Sequence, residues 1–155
     1  AARLDCTLAD LRDDLPRIAD ELWRKLPFGV GSHDGGRGAD DPLFDEPVWD
    51  DVPILKDAGL RQRAKNQLGS IGSGNHYVDL FADDEDRIWV GVHFGSRGLG
   101  HAIATRYLTL AGPGPNAPMD GPPAVLPLAS AAAEEYLAAM ELAGRYAATG
   151  RNRVV

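Results

Sequence analysis

Two stretches of this chain hold residue types suited to metal and phosphate chemistry. The first is Gly69-Ser70-Ile71-Gly72-Ser73-Gly74-Asn75-His76. The second begins seventeen residues after His76 and reads His93-Phe94-Gly95-Ser96-Arg97-Gly98-Leu99-Gly100. Each sets a histidine beside a glycine-rich turn, and such turns expose backbone N–H groups to anions. Neutral imidazole is the commonest protein ligand for transition metals. Arg97 can grip phosphate with two parallel hydrogen bonds, and Asn75 offers an amide that both donates and accepts.

Each residue also has a plainer reading. His76 and His93 can be turn histidines bonded to backbone, Asn75 a left-handed turn residue, and Arg97 a surface ion-pair partner. The spacing favours the chemical reading. Tyr77 to Phe81 and Ile88 to Val92 are short β-rich runs separated by the polar stretch Ala82-Asp83-Asp84-Glu85-Asp86-Arg87. They predict a hairpin whose two outer ends bear the histidines side by side. Two ligands do not complete a metal site, since three or four are usual. Other positions carry weaker signals. His33 lies in a glycine loop, His101 falls on a first helical turn, and Cys6 has no neighbouring ligand.

Further elements flank the predicted hairpin. Leu8, Leu11, Leu15, Ile18, Leu22 and Leu26 recur at helical spacing, so residues 7–26 read as helix with Thr7 as cap. Pro16 interrupts this stretch, and Asp13 or Asp14 can cap a second segment with the proline in its first turn. Phe28 to Gly38 reads as loop, and Asp40 to Pro53, which mixes Asp and Pro with Phe44 and Trp49, as an irregular surface excursion with short anchors. A helix is expected over 54–68, with Arg61, Arg63 and Lys65 either compensating its dipole or facing phosphate. Leu99 to Leu110 reads as helix, followed by a loop over 112–127 rich in proline and glycine. Ser130 caps a last helix running from Ala131 to about Ala148, with Tyr136, Leu137, Met140, Leu142 and Tyr146 available for packing. Interleaved helices and a hairpin give an α+β or mixed α/β class.

Composition bounds the whole. The 155 residues suffice for one domain with a core. No apolar run reaches the roughly 18 residues that cross a bilayer, and the opening residues lead us to expect no secretory signal. The lone Cys6 cannot form an internal disulfide and fits a reducing cytosol. Net charge is -7, and residues 1–60 hold 7 basic against 14 acidic side chains, while residues 61–155 hold 9 of each. The acidic excess lies upstream of the glycine motifs and discourages non-specific DNA binding. The missing initial methionine and the run-on ending Arg151 to Val155 lead us to expect a piece of a longer protein.

The two glycine–histidine motifs, extended through Tyr77, resemble the paired signatures of the RtcB-type RNA-splicing ligases. Leu4 to Gly31 resembles the segment after that family's first metal motif, and Ala139 to Ala147 its helix beyond the signature. The resemblance implies a single partial RtcB-like domain over residues 1–155, with a hairpin between two glycine-rich loops and flanking helices. It implies an enzyme joining RNA 2′,3′-cyclic phosphate or 3′-phosphate ends to 5′-hydroxyl ends, dependent on GTP and manganese, in tRNA splicing or RNA repair.

By the same resemblance, His76 and His93 are metal ligands. Asn75, His76 and Tyr77 meet the nucleotide, and Arg97 with Ser96 binds RNA phosphate. RNA is the expected partner, an archease-like activator a further one, and the cytoplasm the expected location. The family's Asp-x-x-Cys motif is absent, because position 3 is arginine and Cys6 does not replace it. The guanylylated histidine is expected beyond Val155, so the fragment alone is expected to be inactive. Phe94 stands where many members have serine, a change expected to reshape the pocket rim, and Tyr77 where many have phenylalanine. A non-catalytic metal- or phosphate-binding protein and a metal-dependent phosphoesterase are the alternative readings.

Overall fold

The computed structural model describes residues 1–31, 40–112, 114, 116, 118 and 120–155. His33 and most of the loop expected over 28–38 lie outside these residues. The described chain is α+β, a three-stranded antiparallel sheet beside a helical layer.

The predicted hairpin forms as β2 (Tyr77–Ala82) and β3 (Arg87–His93), with Tyr77 opposite His93 and Ala82 opposite Ile88. Its turn is organised by Asp83. One carboxylate oxygen accepts the backbone N–H groups of Glu85 and Arg87, each at 3.0 Å; the other accepts Arg87 Nε and Trp89 Nε1, each at 2.8 Å. A third strand, β1 (Ala2–Thr7), was not expected. It lies on the other side of β3, with Ala2 opposite Val90 and an irregularity between Arg3 and Thr7. Its mixed sequence, Arg3-Leu4-Asp5-Cys6, lacks the clean alternation of a half-buried strand. Pairing with β3 supplies what local propensity does not.

The helix expected over 7–26 is divided. Thr7 caps α1 (Leu8–Leu11) in a reciprocal capping box with Asp10. Arg12–Asp14 is a 3₁₀ turn, and α2 (Leu15–Lys25) follows with Pro16 in its first turn. Proline has no N–H to return to the preceding turn, so the ladder tightens and restarts there. The apolar side of α2 faces Val78 and Leu80 across an open cavity of about 350 Å³.

Asp40 to Pro53 is not a surface excursion. A 3₁₀ turn (Pro42–Asp45) and α3 (Val48–Asp51) carry Leu43, Phe44 and Trp49 into the interior. Trp49 is fully buried, and its Nε1–H donates to the Leu43 carbonyl at 2.8 Å. A large indole with a satisfied polar edge can serve as the middle of a core. The next helix starts later than expected. Residues Pro53–Lys56 form a 3₁₀ turn, and Asp57 caps α4 (Ala58–Gln67) through Leu60 N.

The chain then forms the hairpin, α5 (Arg97–Ala111) and α6 (Ala131–Val154). Ser130 caps α6 as expected, but the helix runs past Ala148 to Val154. Leu142 and Tyr146 are buried, whereas Leu137 and Met140 are nearly half exposed. Leu60 and Ala64 of α4, Leu99 and Ile103 of α5, and Leu142 and Tyr146 of α6 close over Trp49 in one cluster. Tyr146 Oη donates to the buried Ala64 carbonyl at 2.9 Å, tying α6 to α4. Among the described residues no helix is long and apolar enough to cross a membrane.

Candidate metal and phosphate site

The first loop leaves α4 at Leu68 and enters β2 at Tyr77. Gly69, Gly72 and Gly74 all take positive φ, between 83° and 90°. Gly74 has open space around it, whereas Gly72 is also hemmed in by side chains. A Cβ there would fall inside the Arg97 guanidinium and 2.9 Å from His76 Nδ1. Gly72 also accepts Gly29 N at 2.7 Å, which ties the loop to the chain leaving α2.

The structure brings the two histidines together. Their ring centroids lie 6.0 Å apart at an interplanar angle of 68°. His76 is half-buried and His93 exposed. His76 Nδ1 lies 2.9 Å from the Ile71 carbonyl. A carbonyl can only accept, so Nδ1 carries a proton, and in the neutral ring Nε2 then holds the free lone pair. Metal-binding imidazoles are commonly set in this way. Tyr77 stacks on His93 at 5.4 Å and 24°, and both rings are open to solvent. Asn75 is exposed beside them. Among the described residues no third His, Cys, Asp or Glu joins the pair to make a metal cluster.

Arg97 begins α5 with φ of 54°, a left-handed conformation uncommon outside glycine. Its Nε donates to Ser70 Oγ at 3.1 Å, and Ser70 Oγ donates in turn to the Gln67 carbonyl at 2.6 Å. Partial burial makes the charged guanidinium costlier and lowers its pKa, an effect that nearby Tyr146 opposes only in part. Ser96 is half-buried and does not cap α5 with its side chain; its hydroxyl folds over Gly100 instead. Gly98 N–H does not face outward as an open anion donor. It donates to Gln67 Oε1 at 3.1 Å.

Sequence reasoning missed two supporting residues, Ser70 and Gln67. Ser70 is the one buried polar side chain among the described residues, and its place inside the first glycine motif was the available signal. Phe94 is corrected as well. It is 3% exposed and packs inward on Gly150, so it does not form a pocket rim. His101 is exposed on α5, and Cys6 is a half-buried free thiol in β1.

Comparison with known proteins fits this arrangement. The family model for tRNA-splicing ligase RtcB matches residues 49–155. The chain is similar to the tRNA-splicing ligase RtcB of Pyrococcus abyssi, 29% identical over 98% of the chain and 21% of the relative. It is 28% identical to the tRNA-splicing ligase RtcB of Pyrobaculum aerophilum, over 99% of the chain and 41% of that relative. It is 27% identical to the RNA-splicing ligase RtcB of Escherichia coli K12, over 72% of the chain and 30% of the relative. The chain thus spans between about a fifth and two fifths of the relatives it matches. With more than half of its residues matched by that model, including both loops and both imidazoles, the chain belongs to the RtcB family of tRNA-splicing ligases.

Proposed function

We propose that this chain supplies part of the metal and nucleotide site of an RNA ligase. That enzyme joins RNA 2′,3′-cyclic phosphate or 3′-phosphate ends to 5′-hydroxyl ends, with GTP and manganese, in tRNA splicing or RNA repair. The observation that carries the reading is the pair of imidazoles 6.0 Å apart, one of them with Nδ1 engaged by backbone and Nε2 free.

In this reading His76 and His93 hold manganese through ring nitrogens, imidazole being the commonest protein ligand for metals, and the oxygen donors that manganese favours come from elsewhere. The metal, when bound, orients the triphosphate and offsets developing negative charge. Asn75 and Tyr77 flank His76 on the exposed side and contact the nucleotide. Arg97 holds phosphate oxygens of the RNA end in line, with Ser70 fixing Nε and Ser96 beside it. Strand order offers one more support. β1 runs antiparallel to β3 with Ala2 opposite Val90, so the upstream direction of β1 leads toward His93. By resemblance the family's Asp-x-x-Cys motif precedes this strand, and it would arrive beside the two imidazoles. An archease-like activator and a cytoplasmic location complete the proposal.

Manganese titration calorimetry on this chain and on the His76→Ala/His93→Ala variant, with and without GTP, tests it. Binding that vanishes in the variant is the expected result. Equal binding by both chains would remove the imidazoles from the site. Phosphate release from RNA ends without GTP, in a longer protein containing this chain, would favour a phosphoesterase instead.

A further inference from the structure

We propose that Gly150 and Arg151 are positioning residues for His93, and that the end of α6 fixes the backbone carrying this imidazole. His93 is the last residue of β3, where the chain leaves the sheet. Gly95, two residues later, has nothing within 4 Å of where a Cβ would stand. The restraint comes from Phe94, and α6 applies it twice.

The Phe94 ring is buried against α6. A Cβ at position 150 would lie 3.2 Å from Phe94 Cε2, tighter than an ordinary contact. The Phe94 carbonyl accepts a hydrogen bond from Arg151 Nη1 at 2.9 Å. Ring and peptide of the same residue are therefore held by adjacent positions of one helix. Holding both sides of residue 94 limits the directions in which His93 can project. Preorganised sites depend on such restraint.

The same glycine also meets the first loop. Its missing Cβ would stand 3.5 Å from Gly69 N and 3.7 Å from Leu68 Cδ1. One turn of α6 thus abuts both loops that carry imidazoles. Two plainer roles do not account for this. A basic residue in a last helical turn compensates the dipole, but the Arg151 guanidinium reaches a carbonyl 57 residues earlier. A glycine near a helix end often terminates it, yet α6 continues through Gly150 to Val154.

The test uses the full 155-residue chain with labelled histidine, read by NMR. Stacking on Tyr77 makes the His93 ring protons report their own orientation through ring-current shifts. This readout needs no metal. A second readout, broadening of the same signals by manganese, rests on the proposed function. Arg151→Ala and Gly150→Ala are expected to move the His93 signals and to weaken manganese binding about tenfold, as for residues that orient a ligand. Arg151→Lys, which keeps a donor, is expected to recover part of the shift. Arg153→Ala, in the same helical turn but paired with Asp41, is expected to leave His93 unmoved.

A folded Arg151→Ala chain with unshifted His93 signals overturns the proposal. If that variant does not fold, Arg151→Lys and Gly150→Ala are judged by the same criterion. If none of the three folds, the contact is general core packing and the proposal also falls. Wild-type signals that manganese does not broaden, together with shifts that still follow Arg151, would retain the positioning role and reject the metal reading.

Discussion

The guanidinium of Arg97 occupies the space that a side chain at position 72 would need. Gly72 combines a φ of 90° with that contact, and His76 Nδ1 borders the same point. Gly74 has a similar φ of 83° but open space around it. The pair separates backbone strain from crowding. Gly74→Ala is expected to cost about 1–2 kcal/mol, the ordinary penalty for a left-handed L-residue. Gly72→Ala is expected to cost clearly more and to shift the His76 ring signals, because Arg97 must also move. Chemical denaturation and histidine NMR check both. Equal costs at the two positions would mean that Arg97 yields freely.

His76 carries its proton on Nδ1, because the Ile71 carbonyl 2.9 Å away can only accept. Nitrogen-15 spectra of the metal-free chain at neutral pH are expected to show the Nδ1–H tautomer for His76. Added manganese is then expected to perturb Nε2 first. The Nε2–H tautomer would contradict the hydrogen bond and weaken the case for His76 as a ligand.

Asp83 should make the hairpin turn sensitive to acid. Its carboxylate accepts hydrogen bonds from Trp89, from the Arg87 side chain and from the backbone of Arg87 and Glu85, which hold its pKa well below the ordinary range despite some desolvation. A lowered pKa stabilises the folded chain at every pH above the ordinary range near 4. That contribution is lost as pH falls below this range, where the unfolded chain takes up a proton that the folded chain does not. Asp83→Asn is therefore expected to lower Tm at pH 7. It is also expected to flatten the fall in Tm between about pH 4 and pH 2. Trp89 fluorescence and circular dichroism follow the change, and parallel Tm–pH curves for the two chains would refute the role.

The hairpin, the caps at Thr7 and Ser130 and the meeting of His76 with His93 were legible because local rules set them. Turn chemistry, β-rich runs and capping residues act within a few positions of themselves. β1 was illegible because its stability lies in pairing with β3, eighty or more residues away in sequence. The burial of Phe44 and Trp49 was hidden for a related reason. Their surroundings are rich in Asp and Pro, which mark loops, yet those residues here cap short turns that roll two aromatics into the core. At the site, Gln67 was invisible because its task is to accept Gly98 N–H from across 31 residues.

The three basic residues of α4 divide by what they touch. Arg61 donates to the Phe44 carbonyl, pairs with Asp50 and lies 5.5 Å from the Trp49 ring centroid. Lys65 lies 5.5 Å from the Phe44 ring centroid. Both serve the core. Arg63 is exposed, and its Cδ would lie 3.6 Å from a Cβ at Gly98, so it flanks the start of α5 beside Arg97. Arg61→Ala is expected to cost about 1.5–3 kcal/mol of stability, the range for hydrogen bonds to charged groups, with little change in RNA affinity. Arg63→Ala is expected to do the reverse, leaving stability within about 0.5 kcal/mol and weakening RNA binding. It should lower the slope of log affinity against log salt by about one unit if Arg63 contacts one phosphate. Denaturation and salt-dependent RNA titration on a longer protein containing this chain separate the two effects. An unchanged salt slope in Arg63→Ala would remove Arg63 from the proposed RNA contact.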